Sequence, residues 1–147
     1  ATFGYNSQFW TNNETLNVEA GLDGLTEIET KLSSYNSTPF AKICLGMKVD
    51  DVTNWIMLNY TARSLYSVIA DEVYHPTNLG RSRWMSLIVN SRLQDNCNTE
   101  GFNAQLKMST SVRIGYVANN EKNCRSPDSL IGFGIHIDNT VNQLSWS

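Results

Sequence analysis

The chain has 147 residues, of which 41% are hydrophobic and only 17% charged, with a formal net charge of −3. This length fits one domain, residues 1–147, and can bury a core without metals or many disulfides. The acidic balance and the lack of any Lys/Arg block argue against nucleic acid as partner, because phosphate binding needs a basic stripe. No apolar run approaches the length of a membrane span. Asn, Ser and Thr fill the gap left by charged residues, a composition common on extracellular proteins. The start, ATFGYNSQFW, lacks a basic n-region and an initiator Met and reads as a processed N-terminus.

In chain order, residues 3–9 (FGYNSQF) alternate large apolar with small or polar side chains, which predicts a half-buried strand. Residues 17–24 carry two glycines and read as loop. Residues 26–32 fit a strand or a helical face equally, and 33–39 (SSYNSTP) is turn chemistry. Residues 41–49 alternate well, with Ile43, Leu45, Met47 and Val49 facing one way and Lys42, Cys44, Gly46 and Lys48 the other. A short link at 50–53 suits a hairpin into 54–60 (NWIMLNY), whose apolar residues on both faces predict a central strand.

Ser64 can cap a short helix in which Leu65, Val68 and Ile69 share a face, stopped by His75-Pro76. Thr77 or Asn78 can cap a second helix, with Trp84, Leu87 and Ile88 at i, i+3 and i+4. Residues 90–103 read as an ordered loop around Cys97, and 111–118 as a strand with Val112, Ile114 and Tyr116 on one face. A polar loop at 119–129 carries Cys124. In residues 130–138 Ile131, Phe133, Ile135 and Ile137 alternate with Gly132, Gly134, His136 and Asp138, the clearest strand of all, and 141–146 can add a short last one. The predicted fold is α+β, a mostly antiparallel β-sheet domain with two short helices.

The chemistry-bearing residues are sparse. There are two histidines, His75 in a turn and His136 in a strand, and no serine in a nucleophile elbow. The carboxylate pairs Asp50-Asp51 and Asp71-Glu72 are adjacent in sequence, so their side chains point apart and form no acid–base couple. The expectation is no enzyme. Asn119, Asn120, Glu121 and Asp128 supply hard oxygen ligands from one loop, which makes calcium the cation to consider; no other cofactor is implied. Trp10, Trp55, Trp146, Tyr60, Tyr74 and Tyr116 are aromatic platforms by type, with Trp55 and Trp84 read as core.

The three cysteines match no zinc spacing. Cys97 and Cys124 both sit in polar, loop-like surroundings that suit a bridge between them. Cys44, inside an apolar strand, reads as a buried free thiol, the alternative being an interchain thiol. Three sequons, at Asn13, Asn36 and Asn59, permit glycosylation of a secreted chain.

Several strings together resemble a family of secreted invertebrate domains found in cnidarian extracellular and skeletal-matrix proteins: STPFAKICLGMKV, SLYSVIAD, LGRSRWMSLI, NCNTEGFN, RIGYVANNEKNC and SPDSLIGFG. The resemblance implies a secreted, non-enzymatic extracellular glycoprotein domain acting in structural assembly or adhesion, with itself as partner. Members of that family continue past IGFG with a further cysteine and a last apolar strand. Without them here, a sheet edge is expected to be open and Cys44 to be free or available between chains. The order NNE, then Cys, then a Gly-rich run is also similar to intelectin-type and fibrinogen-like lectin domains. That likeness implies calcium-assisted binding of extracellular glycans at Asn119, Asn120 and Glu121.

Overall fold

The structure, a computed structural model, describes residues 1–24, 26–106, 110–125, 127 and 129–137. After a 3-10 turn at Gln8–Trp10 come α1 (Val18–Leu22), α2 (Ser34–Ser37), β1 (Phe40–Val49), β2 (Val52–Ala62) and α3 (Leu65–Ile69). There follow β3 (His75–Pro76), α4 (Arg81–Met85), β4 (Asn96–Leu106), β5 (Thr110–Asn119) and β6 (Ser129–Ile137). All strand pairs are antiparallel, in a two-stranded ribbon β1-β2 and a four-stranded sheet ordered β3-β4-β5-β6. The α+β, mostly β architecture therefore matches the expectation. The two expected helices are α3 and α4; the segment 17–24, expected to be loop, instead holds α1, and the turn segment 33–39 holds the short α2.

The ribbon follows from its alternation and its turn. Asp50 and Asp51 both have positive φ, 50° and 64°, which a two-residue hairpin with the right twist requires and which Asp tolerates. Leu45, Met47, Ile56 and Leu58 point inward and are buried. The predicted central position of β2 is corrected: among the described residues it pairs with β1 alone, and Trp55 and Met57 face outward, half exposed. Trp55 packs on its cross-strand partner Gly46 instead of in the core; a Cβ at Gly46 would sit 2.5 Å from the indole.

Three other local expectations are revised. The predicted strand at 3–9 is a run of turns, because Trp10 Nε1 donates to the carbonyls of Phe3 (3.2 Å) and Gly4 (3.0 Å) and folds the segment back. The predicted loop at 90–103 contains the first half of β4. Its polar residues disguise a strand, since Asn and Gly are poor strand formers that tertiary pairing overrides. The second helix starts later than Thr77 or Asn78, with Gly80 (φ 98°) at its N-cap. Its capping acceptor comes from β4: the buried Glu100 carboxylate accepts the N–H groups of Leu79 (2.8 Å) and Gly80 (2.7 Å) and the Thr77 hydroxyl. By contrast α3 begins as its sequence dictates. Ser64 Oγ accepts the Ser67 N–H at 3.1 Å, and the Ser64 N–H returns to Ser67 Oγ at 3.3 Å, a reciprocal cap. The helix ends at Ile69, before His75-Pro76, which form β3 instead. The expected last strand at 141–146 lies outside the described residues.

The main core lies between the ribbon, the helices and the sheet. It joins Leu45, Ile56 and Leu58 to Ile69, Trp84 and Leu87, and these to Phe102, Ile114, Tyr116 and Ile131. A smaller cluster holds Ala104, Val112, Val117 and Leu130. Along β5 the packing changes cluster between Ile114 and Val112, on either side of Arg113. Asn103 of β4 (φ 51°) and Gly134 of β6 (φ 68°) flank that position in left-handed conformations. A Cβ at Gly134 would fall 2.7 Å from Arg113 Cγ and 2.8 Å from Trp10, so only glycine fits.

Arg113 is 2% exposed, and each of its three guanidinium nitrogens has an acceptor. Nε donates to the Tyr5 carbonyl at 2.9 Å, one terminal nitrogen to Asn103 Oδ1 at 2.7 Å and the other to Glu72 Oε1 at 3.2 Å. The group stacks 4.0 Å from the centroid of the Tyr5 ring. Asn103 in turn donates to the carbonyls of Ile69 and Val73, both at 3.0 Å, just past α3. One side chain thus ties β5 to β4, to the N-terminal segment and to the end of α3.

Removing the guanidinium orphans the buried Asn103 Oδ1 and the half-buried Tyr5 carbonyl, so Arg113→Met is expected to cost about 3 kcal/mol in urea unfolding. Glu72→Gln is expected to cost under about 1 kcal/mol, because the Glu72 side chain is 63% exposed and solvent screens the pair. Equal losses would show that the ion pair, rather than the carbonyl-bound guanidinium, carries the effect.

Burial pushes the hydroxyls of Tyr35, Tyr74 and Tyr116 above the ordinary tyrosine range. Above about pH 10 the unfolded chain loses those protons first, so the stability present at lower pH is lost as pH rises toward the folded values. Burial lowers the Lys31 ammonium, which works the other way: its folded form gains as pH rises through its depressed pKa. The tyrosines set the sign at high pH. The urea midpoint is expected to start falling at about pH 10, less steeply in Tyr35→Phe; an identical fall in the variant would remove Tyr35 from the account.

Candidate functional site

The outward face of the ribbon groups two exposed large apolar side chains with a free thiol. Alternation places Cys44 and Gly46 of β1 beside Met57 and Trp55 of β2, their direct cross-strand partners. Cys44 is a free, exposed thiol, not the buried one expected; the residues facing with it, Lys42 and Lys48, are also in solvent. Trp55 is 52% and Met57 47% exposed. Lys48 pairs with Glu27 at 2.5 Å, and each holds the other in its charged form: the Lys48 bond lowers the Glu27 pKa and the Glu27 bond raises that of Lys48. Asn59, exposed and opposite Lys42, lies on the same face two residues along from Met57. The patch thus combines a thiol, a thioether and an indole with cations at its border.

The other sequence-predicted residues are dispersed. Cys97 and Cys124 form the expected disulfide, Cα–Cα 5.5 Å, tying the start of β4 to the loop that follows β5. Asn96 Nδ2 adds a bond to the Asn120 carbonyl at 2.8 Å. Asn119 is buried at the end of β5, its Oδ1 accepting the Asn120 N–H at 2.9 Å. Asn120 and Glu121 are exposed, and Glu121 Oε2 accepts from Asn123 at 3.1 Å. Asp128 lies outside the described residues. Among the described residues no three His, Cys, Asp or Glu side chains gather as metal ligands. Asn13 and Asn59 are exposed, whereas Asn36 donates to the Asn13 carbonyl at 3.1 Å and has a buried Oδ1 with no partner among the described residues. The Asn36 amide is therefore the least accessible of the three. His75 meets Asp71 at 2.7 Å, an i, i+4 pair absent from the sequence reading; His136 is exposed.

The sequence reading also missed a cleft of about 670 Å³ lined by Phe9, Trp10, Tyr35, Phe40, Ile43 and Phe133, with Lys31 among them. Its walls come from the N-terminal segment, α2, β1 and β6, so no contiguous motif announces it. Tyr35 Oη donates to the Trp10 carbonyl at 2.7 Å, and the main chain of Lys31 exchanges two 2.9 Å bonds with Leu16. The Lys31 ammonium donates to the Asn12 carbonyl (2.8 Å) and to Asn12 Oδ1 (2.9 Å) and lies 4.7 Å from the Tyr35 ring centroid.

Comparison with protein-family models, curated proteins and solved structures finds no match to this chain. Among the described residues no helix is long and apolar enough to cross a membrane.

A cross-link over 27 residues is worth about 3.5 kcal/mol by loop-closure entropy. Replacing Cys97 and Cys124 together by Ala is expected to lower urea stability by roughly that amount. Cys44→Ala, at an exposed position, is expected to change it by under about 0.5 kcal/mol. A comparable loss from Cys44→Ala would mean that the thiol is packed.

Proposed function

We propose that the chain is a secreted, non-enzymatic extracellular glycoprotein domain that self-associates, in assembly or adhesion, through the outer face of the β1-β2 ribbon. The observation that carries this reading is the joint exposure of Cys44, Trp55 and Met57 on one side of a two-stranded ribbon. Two copies related by a two-fold axis would present identical patches to each other, and a face of this kind is self-complementary in that arrangement. Trp and Met are enriched where interfaces form, and both are costly to leave in water. The disulfide is compatible with an oxidising compartment. The resemblance of its ordered strings to cnidarian matrix domains supports the extracellular setting.

Size-exclusion chromatography and sedimentation, on material freed of N-glycans so that Asn59 does not border the face, test the reading. The expected result is a dimer that strengthens with concentration and survives Cys44→Ser, and a monomer for Trp55→Ser combined with Met57→Ser. A strict monomer at high concentration, with and without reductant, would overturn it.

A further inference from the structure

We propose that the Lys31 cleft binds an apolar carboxylate of the fatty-acid type, its hydrocarbon body among the aromatic walls and its carboxylate against the Lys31 ammonium. This site is separate from the ribbon face and does not depend on it.

The aromatic walls offer area, not hydrogen bonds. Trp10 Nε1 is spent on the carbonyls of Phe3 and Gly4, and Tyr35 Oη on that of Trp10. What they present to the cleft is therefore ring surface, which favours a hydrocarbon over a polyol. The cavity volume of about 670 Å³ is within the usual range for small-molecule sites. The walls are also held in place: Trp10 rests on Gly134, and Tyr35 is edge-on to Trp10 with ring centroids 6.3 Å apart.

Lys31 gives the site its sign. It is 6% exposed, yet among the described residues no carboxylate lies within ion-pair distance of it. Glu14 acts on it only through its longer-range field. An ammonium has three donors; two go to Asn12, and the charge is otherwise offset by the faces of Tyr35 and Phe9, at 4.7 and 5.8 Å. A buried cation met only by dipoles and π faces gains from an anion, and a carboxylate supplies both the missing acceptor and the compensating charge. Lys42 and Glu29 also line the cleft, one cation and one anion. A ligand with a cationic head would be repelled by Lys31.

Calorimetric titration of the intact protein at neutral pH with dodecanoate, dodecanol and dodecyltrimethylammonium, each below its micellar range, tests this. Dodecanoate is expected to bind at least about tenfold tighter than dodecanol, the scale of one charge-assisted hydrogen bond, and the cationic amphiphile not to bind. Lys31→Gln is expected to bring dodecanoate down to the dodecanol level while dodecanol binding persists. In NMR spectra of the wild type, dodecanoate is expected to shift the methyl resonances of Ile43 and Leu65, both at the cleft. The wild-type comparison decides the matter even if the variant fails to fold. No binding of dodecanoate, equal affinity for dodecanoate and dodecanol, a preference that survives Lys31→Gln, or binding that leaves those methyls unmoved would each overturn the proposal.

Discussion

A guanidinium taken out of water must find an acceptor for its N–H groups, and Arg113 can do so only if three other parts of the chain are already in place. Its partners are the Tyr5 carbonyl, Asn103 of β4 and Glu72 beyond α3, with the Tyr5 ring stacked on its plane. It is placed there by glycine: Gly134 on the neighbouring strand leaves the volume that its aliphatic stem fills. The arrangement is expensive if incomplete and specific when complete, which is how buried polar networks select one packing over its neighbours. The cleft depends on it indirectly. The segment that Arg113 holds through Tyr5 also carries Phe9 and Trp10, and Trp10 lies on the same glycine.

What could be read from the sequence was what is local. The alternation of β1, the hairpin that follows it and the Ser64 cap are each set by neighbours within a few residues, and the structure has them; Trp84, Leu87 and Ile88 are buried together as their apolar spacing suggests, although α4 ends at Met85 and leaves the last two beyond the helix. The Cys97–Cys124 bridge was legible from its polar surroundings. For Cys44 the phase was legible and the inference drawn from it was not: alternation set it with Lys42 and Lys48, on the wet side, but its apolar flanks suggested burial. In 54–60, apolar residues on both faces made β2 look central.

What could not be read depends on partners far along the chain. The start of β4 looks like a loop because Glu100 and Asn103 are polar, but each is buried in service of another element, one capping α4 and one joining α3 to Arg113. Trp10 turns back the N-terminal segment by bonding to carbonyls, a bond that leaves no trace in hydropathy. Nothing in the sequence next to Lys31 announces the Asn12, Tyr35 and Leu16 that the fold brings around it. The metal-ligand reading rested on a run of oxygen-bearing side chains, and strand β5 turns the first of them, Asn119, inward.

The pairing of Trp55 with Gly46 bears on how the ribbon would meet anything at all. An exposed tryptophan ordinarily samples several rotamers and must be frozen when it is covered, a loss of about 0.5–1.5 kcal/mol for such a side chain. Here the indole already lies against the bare backbone of the opposite strand, 2.5 Å from where a Cβ would be. That ordering is done at folding, before contact, so the ring arrives as a fixed plate. A methyl group at residue 46 would lift the plate and return the side chain to a mobile state while leaving its exposed chemistry intact. The glycine therefore governs the rigidity of the surface rather than its composition.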